Sequence, residues 1–410
     1  MDQIKSSRAQ FLKATPEHSV YACRRESRIF ASHARFGMWR LLLKILLSAT
    51  VASSEPTDAR VLEAMLAAEM TSFPKEGTVM RQEATYVDSQ EKLLHNHWHL
   101  RNETLERAIA IAYITTGAWV AKVLLPLSIR NLRNVGFWYG DVFVLTDHPE
   151  CVPAFLATPV RMPAAPVKKI PNPGQENATY AKYFKQKLLE LLPLKPEHRF
   201  VFYMDTDIFI GKPIAPFFET ALAESLSVAS VAFFREGSGD NGQADHAKAL
   251  NSMYAKATNG SSNYRQHLIA LIESDPCSRL HSLYHGGIFF AQRNSGAAAF
   301  LKRWADWYDS PCHVDQPYLT RAAMMEYGQV TVLPQKKYYG QPTTKNTGHY
   351  WTLNHYTRTS RMKDKPGAKG DFNAASKVKA GQQLLGLSPN VSASWWRLKS
   401  PFCELVPDDL

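Results

Sequence analysis

From Ala108 onward the chain is built of short, unbroken apolar runs separated by amphipathic stretches. Ala108-Ile109-Ala110-Ile111-Ala112-Tyr113-Ile114 closes on Thr115-Thr116-Gly117, and Asp141 to Asp147, Phe200 to Met204 and Ser227 to Phe234 repeat the texture. A run with no polar alternation offers no face to water, so it reads as a strand covered on both sides, the habit of parallel sheets. The stretch from Gly117 to Asn134, Tyr180 to Leu192 and Ser295 to Asp309 read as helices. Strands alternating with helices predict an α/β fold: a mostly parallel sheet flanked by helices, with ligands beyond the carboxyl ends of the strands. No internal repeat is present.

Composition narrows the classes. With 410 residues, 45% hydrophobic and 21% charged, the chain falls outside the disordered and fibrous groups. Its five cysteines (23, 151, 277, 312 and 403) form no C-x-x-C pair, which argues against zinc ribbons and dithiol redox sites. The formal net charge is +11, but residues 1–54 hold nine basic against three acidic residues, leaving 39 against 34 beyond them. The remaining excess is modest and lacks an aromatic-plus-basic recognition motif, so nucleic acid is not the expected partner.

That leader ends in Leu41 to Ala52, an apolar run interrupted by Lys44 and followed by small residues. The layout is that of a secretory signal or signal anchor, with Met38 as an alternative start. The run is shorter than the roughly 20 apolar residues of a membrane span. An organelle transit peptide and an amphipathic helix are the alternatives. Sequons at Asn102, Asn177, Asn259 and Asn390 are a mild excess. Four cysteines outside the leader suit up to two disulfides, Cys277 with Cys312 being one pairing and ordinary thiols the other reading. The expected organisation is a targeting segment (1–54), a polar helical stem (55–107), a catalytic domain (108–362) and a basic tail (363–410). The expected location is the Golgi or ER lumen, membrane-associated through the leader.

The chemistry centres on Asp205-Thr206-Asp207, set between the apolar runs Phe200–Met204 and Ile208-Phe209-Ile210. Two carboxylates one residue apart at a strand end can share a divalent cation at the sheet edge where a diphosphate could reach it. Two acids flanked by apolar strands are costly to bury without such a counter-ion. A D-x-D triplet by itself is commonly a solvated turn, so its flanks carry the specificity.

With these residues the chain resembles the metal-dependent GT-A glycosyltransferases, and in layout the glycogenin-like and related retaining families, over residues 108–362. The resemblance implies a Rossmann-like mixed sheet, Mn²⁺ on Asp205 and Asp207, a nucleotide-sugar donor (a UDP-sugar), a glycan, protein or other hydroxyl acceptor, and retention of configuration. It places Thr115, Thr116 and Gly117 at the nucleotide pocket and Asp147 near the base. A donor-contacting lysine upstream matches Lys187, with Lys182 second; a solvated helix face is the plainer reading of both. Asp315-Gln316 would stand beside the transferred sugar as the catalytic pair, although a lone Asp there is more often a helix N-cap. His355 matches the third metal ligand, with His349 as rival, and Arg361 takes the place of a phosphate-binding lysine. Two departures stand out: His285 replaces an asparagine that begins a strand at the sugar, and Arg358 replaces a glycine. Part of the positive charge beyond the leader would then line the diphosphate site, notably Lys187 and Arg361.

Two other classes accommodate the motif. A haloacid dehalogenase-type phosphatase would use Asp205 as nucleophile and Asp207 as acid/base, but Phe209 stands where that pattern wants Thr or Val. A catalytically inactive sugar-nucleotide-binding protein on the same fold would tolerate the His285 and Arg358 departures.

Overall fold

The structure, a computed structural model, describes residues 100–164 except 118, 119 and 153, then 182–235, 262–276, 282–305, 315–340 and 351–356, with the separate positions 252, 256, 278, 377, 381, 383 and 385. The leader lies outside the described residues. No described helix is long and apolar enough to cross a membrane.

Helix α1 (Glu103–Ala108) feeds directly into β1 (Ile109–Thr115). A π-helical turn and α2 (Leu125–Asn134) lead to β2 (Val142–Thr146) and β3 (Thr158–Arg161). Then follow α3 (Leu188–Leu191), β4 (Phe200–Met204), β5 (Ile208–Ile210), α4 (Ala215–Thr220) and β6 (Val231–Arg235). The remaining elements are α5 (Ser262–Ser274), β7 (Tyr284–Gln292), α6 (Ser295–Ala305), α7 (Gln316–Met325), β8 (Val330–Val332), α8 (Gln335–Tyr338), β9 (Tyr339–Gly340) and β10 (Leu353–His355).

The main sheet has seven strands in the order β3-β2-β1-β4-β7-β6-β8. All its pairings are parallel except those of β7, which runs against β4 and β6. This is the mixed, mostly parallel α/β sheet that the apolar runs predict. The reason lies in β1: Ile109, Ile111 and Tyr113 enter one core with α2 and α4, while Ala110, Ala112 and Ile114 enter another with α3, α5, α6 and α7. Side chains that alternate between two cores leave no solvent face, so the strand reads as one apolar run. Aromatic packing consolidates the first core. The Phe202 ring lies 5.0 Å from Phe218 and 4.6 Å from Phe290, centroid to centroid.

Three boundaries differ from expectation. The helix expected from Tyr180 to Leu192 is interrupted by a turn at Gln186 and Lys187. The strand expected from Ser227 starts at Val231, because Ser227 to Ser230 form the turn that carries exposed Val228. The helix expected from Ser295 ends its described course at Ala305. At the end of the expected stem, Asn102 accepts the Leu105 N–H at 3.2 Å as the N-cap of α1 and donates to Glu219 on α4 at 2.8 Å.

A small second sheet, β5-β10-β9, sits beyond the D-x-D triplet. Strand β10 runs antiparallel to β5, with His355 opposite Ile208. This pairing brings a distant histidine beside Asp207.

Candidate active site

Strand β4 ends at Met204, and the Asp205 N–H donates to Gly287 O of β7 at 2.8 Å. The triplet is therefore pinned at the carboxyl edge of the sheet, next to the start of the one reversed strand. The Tyr356 N–H donates to Asp207 O at 3.1 Å, fixing the other acid against β10. Ligand atoms of Asp205, Asp207 and His355 all lie within 4.8 Å of one another.

Each member of this trio is held. Asp205 bonds Tyr203 Oη and faces Lys185 Nζ at 3.1 Å. Asp207 Oδ1 lies 3.3 Å from His355 Nε2, and Oδ2 bonds Lys377 Nζ. His355 Nδ1 and Tyr339 Oη are 3.1 Å apart, an outer contact of the kind that orients an imidazole for metal binding. Burial opposes ionisation of Asp207, yet His355 and Lys377 hold its carboxyl below the usual range. Two carboxylates and an imidazole suit a divalent cation such as Mn²⁺, so the residues present fit the metal that the resemblance implies.

Lys185 occupies the middle of the site and is almost fully buried. Its ammonium donates to Gly286 O at 3.1 Å and lies over the Tyr203 ring. Burial works against its charge, but Asp205 and then Asp315 outweigh that cost and its pKa is raised. Tyr203 is pushed upward by burial and by the Asp205 charge.

Asp315 precedes α7, but its side chain makes no capping bond. Its main-chain oxygen accepts from Trp304 Nε1 at 3.2 Å, while Oδ2 is buried with no hydrogen-bond partner among the described residues. A buried carboxylate oxygen left this way carries a desolvation cost of about 1–3 kcal/mol, the kind of expense found at functional sites. Gly286 and Gly287 make the approach feasible. A Cβ on Gly286 would lie 3.3 Å from Asp315 Oδ2, and one on Gly287 would lie 2.5 Å from Asp205 Oδ2.

His285 packs edge-on against His355, ring centroids 4.5 Å apart. Burial, then His355 and Lys185, lower its pKa and keep it neutral. Its Nδ1 accepts the Gly287 N–H at 3.0 Å, which leaves the proton on Nε2. The imidazole that replaces an asparagine is thus a fixed hydrogen-bond donor.

On the neighbouring strands, Gly117 (φ +82°) turns the chain after β1, and its N–H donates to both Asp147 carboxylate oxygens at 3.1 and 3.0 Å. Thr115 is buried in register with Thr146, and half-buried Thr116 follows it. Thr115, Thr116, Gly117 and Asp147 sit at the ends of β1 and β2, on the edge that carries Asp205. Gln316 is the first residue of α7, half-buried beside Asp315.

Lys187, the lysine expected at the donor, lies in the turn before α3 and pairs with Glu190 at 3.0 Å, whereas Lys185 is the lysine that faces Asp205. The turn at Gln186 and Lys187 ends the helical stretch that carries Lys185, and Lys187 is directed instead to Glu190 on α3. Sequence reasoning missed Lys185, and it also missed Lys377. Half-buried Lys182 is no part of the contacts just described. Arg361, Arg358, His349, Cys277 and Cys312 lie outside the described residues.

A second trio, His148, Glu150 and Cys151, also clusters. Cys151 is disulfide-bonded and offers no thiolate, and His148 Nδ1 is 3.0 Å from Glu150. Without a thiolate this cluster offers one ligand fewer than Asp205, Asp207 and His355.

No protein-family model and no curated protein matches the chain. Among solved structures it is similar to mouse xyloside xylosyltransferase 1 in its apo form, at 13% identity and TM-score 0.38 over 60% of this chain and 97% of that one. It is also similar to the galactosyltransferase LgtC in complex with donor and acceptor sugar analogues, at 12% identity and TM-score 0.40 over 70% and 98%. A third is GlyE of Streptococcus pneumoniae TIGR4, at 10% identity and TM-score 0.38 over 72% and 64%. All three are glycosyltransferases.

Proposed function

We propose that this protein is a glycosyltransferase that moves a sugar from a nucleoside-diphosphate donor, a UDP-sugar, to a hydroxyl of a glycan or protein, with Mn²⁺ and with retention of configuration. The observation that carries the reading is the convergence of Asp205, Asp207 and His355 at the carboxyl edge, beside Asp315, whose Oδ2 is buried without a partner among the described residues.

Asp205, Asp207 and His355 would hold the divalent metal, which supplies charge neutralisation on the departing diphosphate. The chain's own groups do the rest. Lys185 fixes the Asp205 carboxylate and adds positive charge beside it. Asp315 offers an ionised oxygen to the positive charge that develops on the sugar, and Gln316 contacts its hydroxyls. His285 Nε2–H donates to a ligand oxygen. Gly117 and Asp147 form a closed turn against which the nucleoside rests, with Thr115 and Thr116 behind it.

The test is Mn²⁺-dependent hydrolysis or transfer across a panel of nucleotide sugars by the wild-type protein and by Asp205→Asn/Asp207→Asn. Activity confined to the wild type is expected; full activity in the double variant overturns the assignment.

The proposal extends to location and organisation. Residues 1–54 direct the chain to the secretory lumen and keep it at the membrane, 55–107 form a stem, 108–362 the catalytic domain and 363–410 a tail. The Cys151 disulfide and the four sequons support an oxidising, glycosylating compartment.

A further inference from the structure

Asp207 is touched by a cation that a D-x-D metal site does not itself require. Lys377 Nζ bonds Asp207 Oδ2, on the oxygen turned away from His355. Two further described positions near Lys377, Gly381 and Leu385, rest on the same part of the domain. Lys377, Gly381 and Leu385 recur every fourth residue, the spacing of one helical face, and the Leu385 N–H donates to Gly381 O at 3.2 Å. A Cβ on Gly381 would lie 2.6 Å from Leu127 Cδ2 and 2.9 Å from Phe209 Cε1, so the backbone itself is pressed onto α2 and β5. Leu385 packs on the cluster formed by Leu124, Leu127, Phe209 and Tyr356. Phe209 lies in β5, just after Asp207, and Tyr356 directly follows His355, so this apolar contact sits next to the carboxylate that Lys377 reaches.

The charges then balance in a particular way. Asp205 already faces Lys185, and Asp207 already faces Lys377. With Asp315 counted as well, a divalent cation among Asp205, Asp207 and His355 leaves a surplus of about one positive charge, which favours an arriving anion. Oδ1 of Asp207, beside His355, remains the oxygen open to that cation, while Oδ2 keeps its ammonium.

We propose that Lys377 is a diphosphate-binding residue delivered to the metal site by the C-terminal segment. The inference rests on the nucleoside-diphosphate reading above and deepens it. A fixed ammonium at this place repels a divalent cation binding alone and attracts the diphosphate that binds with it. Its removal therefore acts on the two ligands with opposite sign, which loss of local structure does not do.

Calorimetric titration tests this with Mn²⁺ alone, and with UDP and GDP at saturating Mn²⁺, on wild type, Lys377→Met and Lys377→Arg, each checked by melting for a folded state. In Lys377→Met, Mn²⁺ alone is expected to bind more tightly, while the nucleoside diphosphate binds about tenfold more weakly, as for a lost charge-assisted contact. Lys377→Arg is expected to restore the diphosphate affinity. Gly381→Leu, which forces the segment off Leu127, should weaken the diphosphate in the same way. Unchanged diphosphate affinity in Lys377→Met, or a parallel loss for both ligands, overturns the proposal while leaving the glycosyltransferase reading intact. Absence of UDP and GDP binding by the wild type overturns both.

Discussion

The amino and carboxyl edges of the main sheet both carry charged side chains, and they use them in opposite ways. At the amino edge, Asp141 before β2 bonds Lys195 and lies 3.0 Å from His198 Nε2, while His198 Nδ1 accepts the Lys195 N–H at 3.0 Å. Arg293, just after β7, donates to Lys195 O at 2.8 Å. These groups close on one another inside the loops that join the strands, and His198 is sealed beneath them. At the carboxyl edge Asp205, Asp207 and His355 converge, and Asp315 keeps a buried oxygen unpaired. Charges satisfied locally stabilise a loop; charges aimed at a common point hold a ligand.

The widest separation of the two edges is expected from Asp205→Asn/Asp207→Asn, which should lower turnover about a thousandfold or more with the fold retained. Assays with and without EDTA, alongside a thermal melt, check it. Next, Asp315→Asn should lower kcat about a hundredfold while Mn²⁺ affinity measured by calorimetry is unchanged. A parallel fall in Mn²⁺ affinity would make Asp315 part of the metal shell.

The amino edge should answer in stability alone. His198→Ala is expected to cost about 1–3 kcal/mol by denaturant unfolding, since it strands the Lys195 N–H, with kcat unchanged. Burial, only partly offset by Asp141, lowers the His198 pKa, so the folded protein keeps this imidazole neutral where the unfolded chain would protonate it. Stability is therefore full above the ordinary histidine value of about 6.5 and falls as pH drops below it. His285, lowered for similar reasons, acts in the same direction. Melting curves at pH 7.5 and 5.5 should show this slope, reduced in His198→Gln. The smallest effect belongs to Lys187→Ala. Its helical ion pair with Glu190 contributes about 0.5 kcal/mol or less, and nucleotide-sugar turnover should not change.

The residues' own pattern makes legible only what is placed locally; the distant His355 and Asp315 were named through the family resemblance. Asp205 and Asp207 follow an apolar strand directly, so the sheet edge is implied by the strand itself. Thr115, Gly117 and Asp147 are legible for the same reason. Lys185 was hidden by a break in the expected helix: a turn at Gln186 and Lys187 separates the two lysines, so a continuous helical pattern misplaces them. Lys377 was hidden by distance, since its contact with Asp207 spans 170 residues and depends on Gly381 fitting under Leu127 and Phe209. The reversal of β7 was equally illegible, because Ile288-Phe289-Phe290 is buried on both faces whichever way the strand runs.

Two clusters at the carboxyl edge compete for a cation, and the D-x-D triplet with His355 is the one proposed, not His148 with Glu150. Crystals of the protein soaked with Mn²⁺ and UDP or GDP, measured at the manganese absorption edge, test it directly. One anomalous peak is expected, bounded by Asp205, Asp207 and His355. A peak at His148 and Glu150 with none at the D-x-D triplet, or no ordered manganese at all, would contradict it.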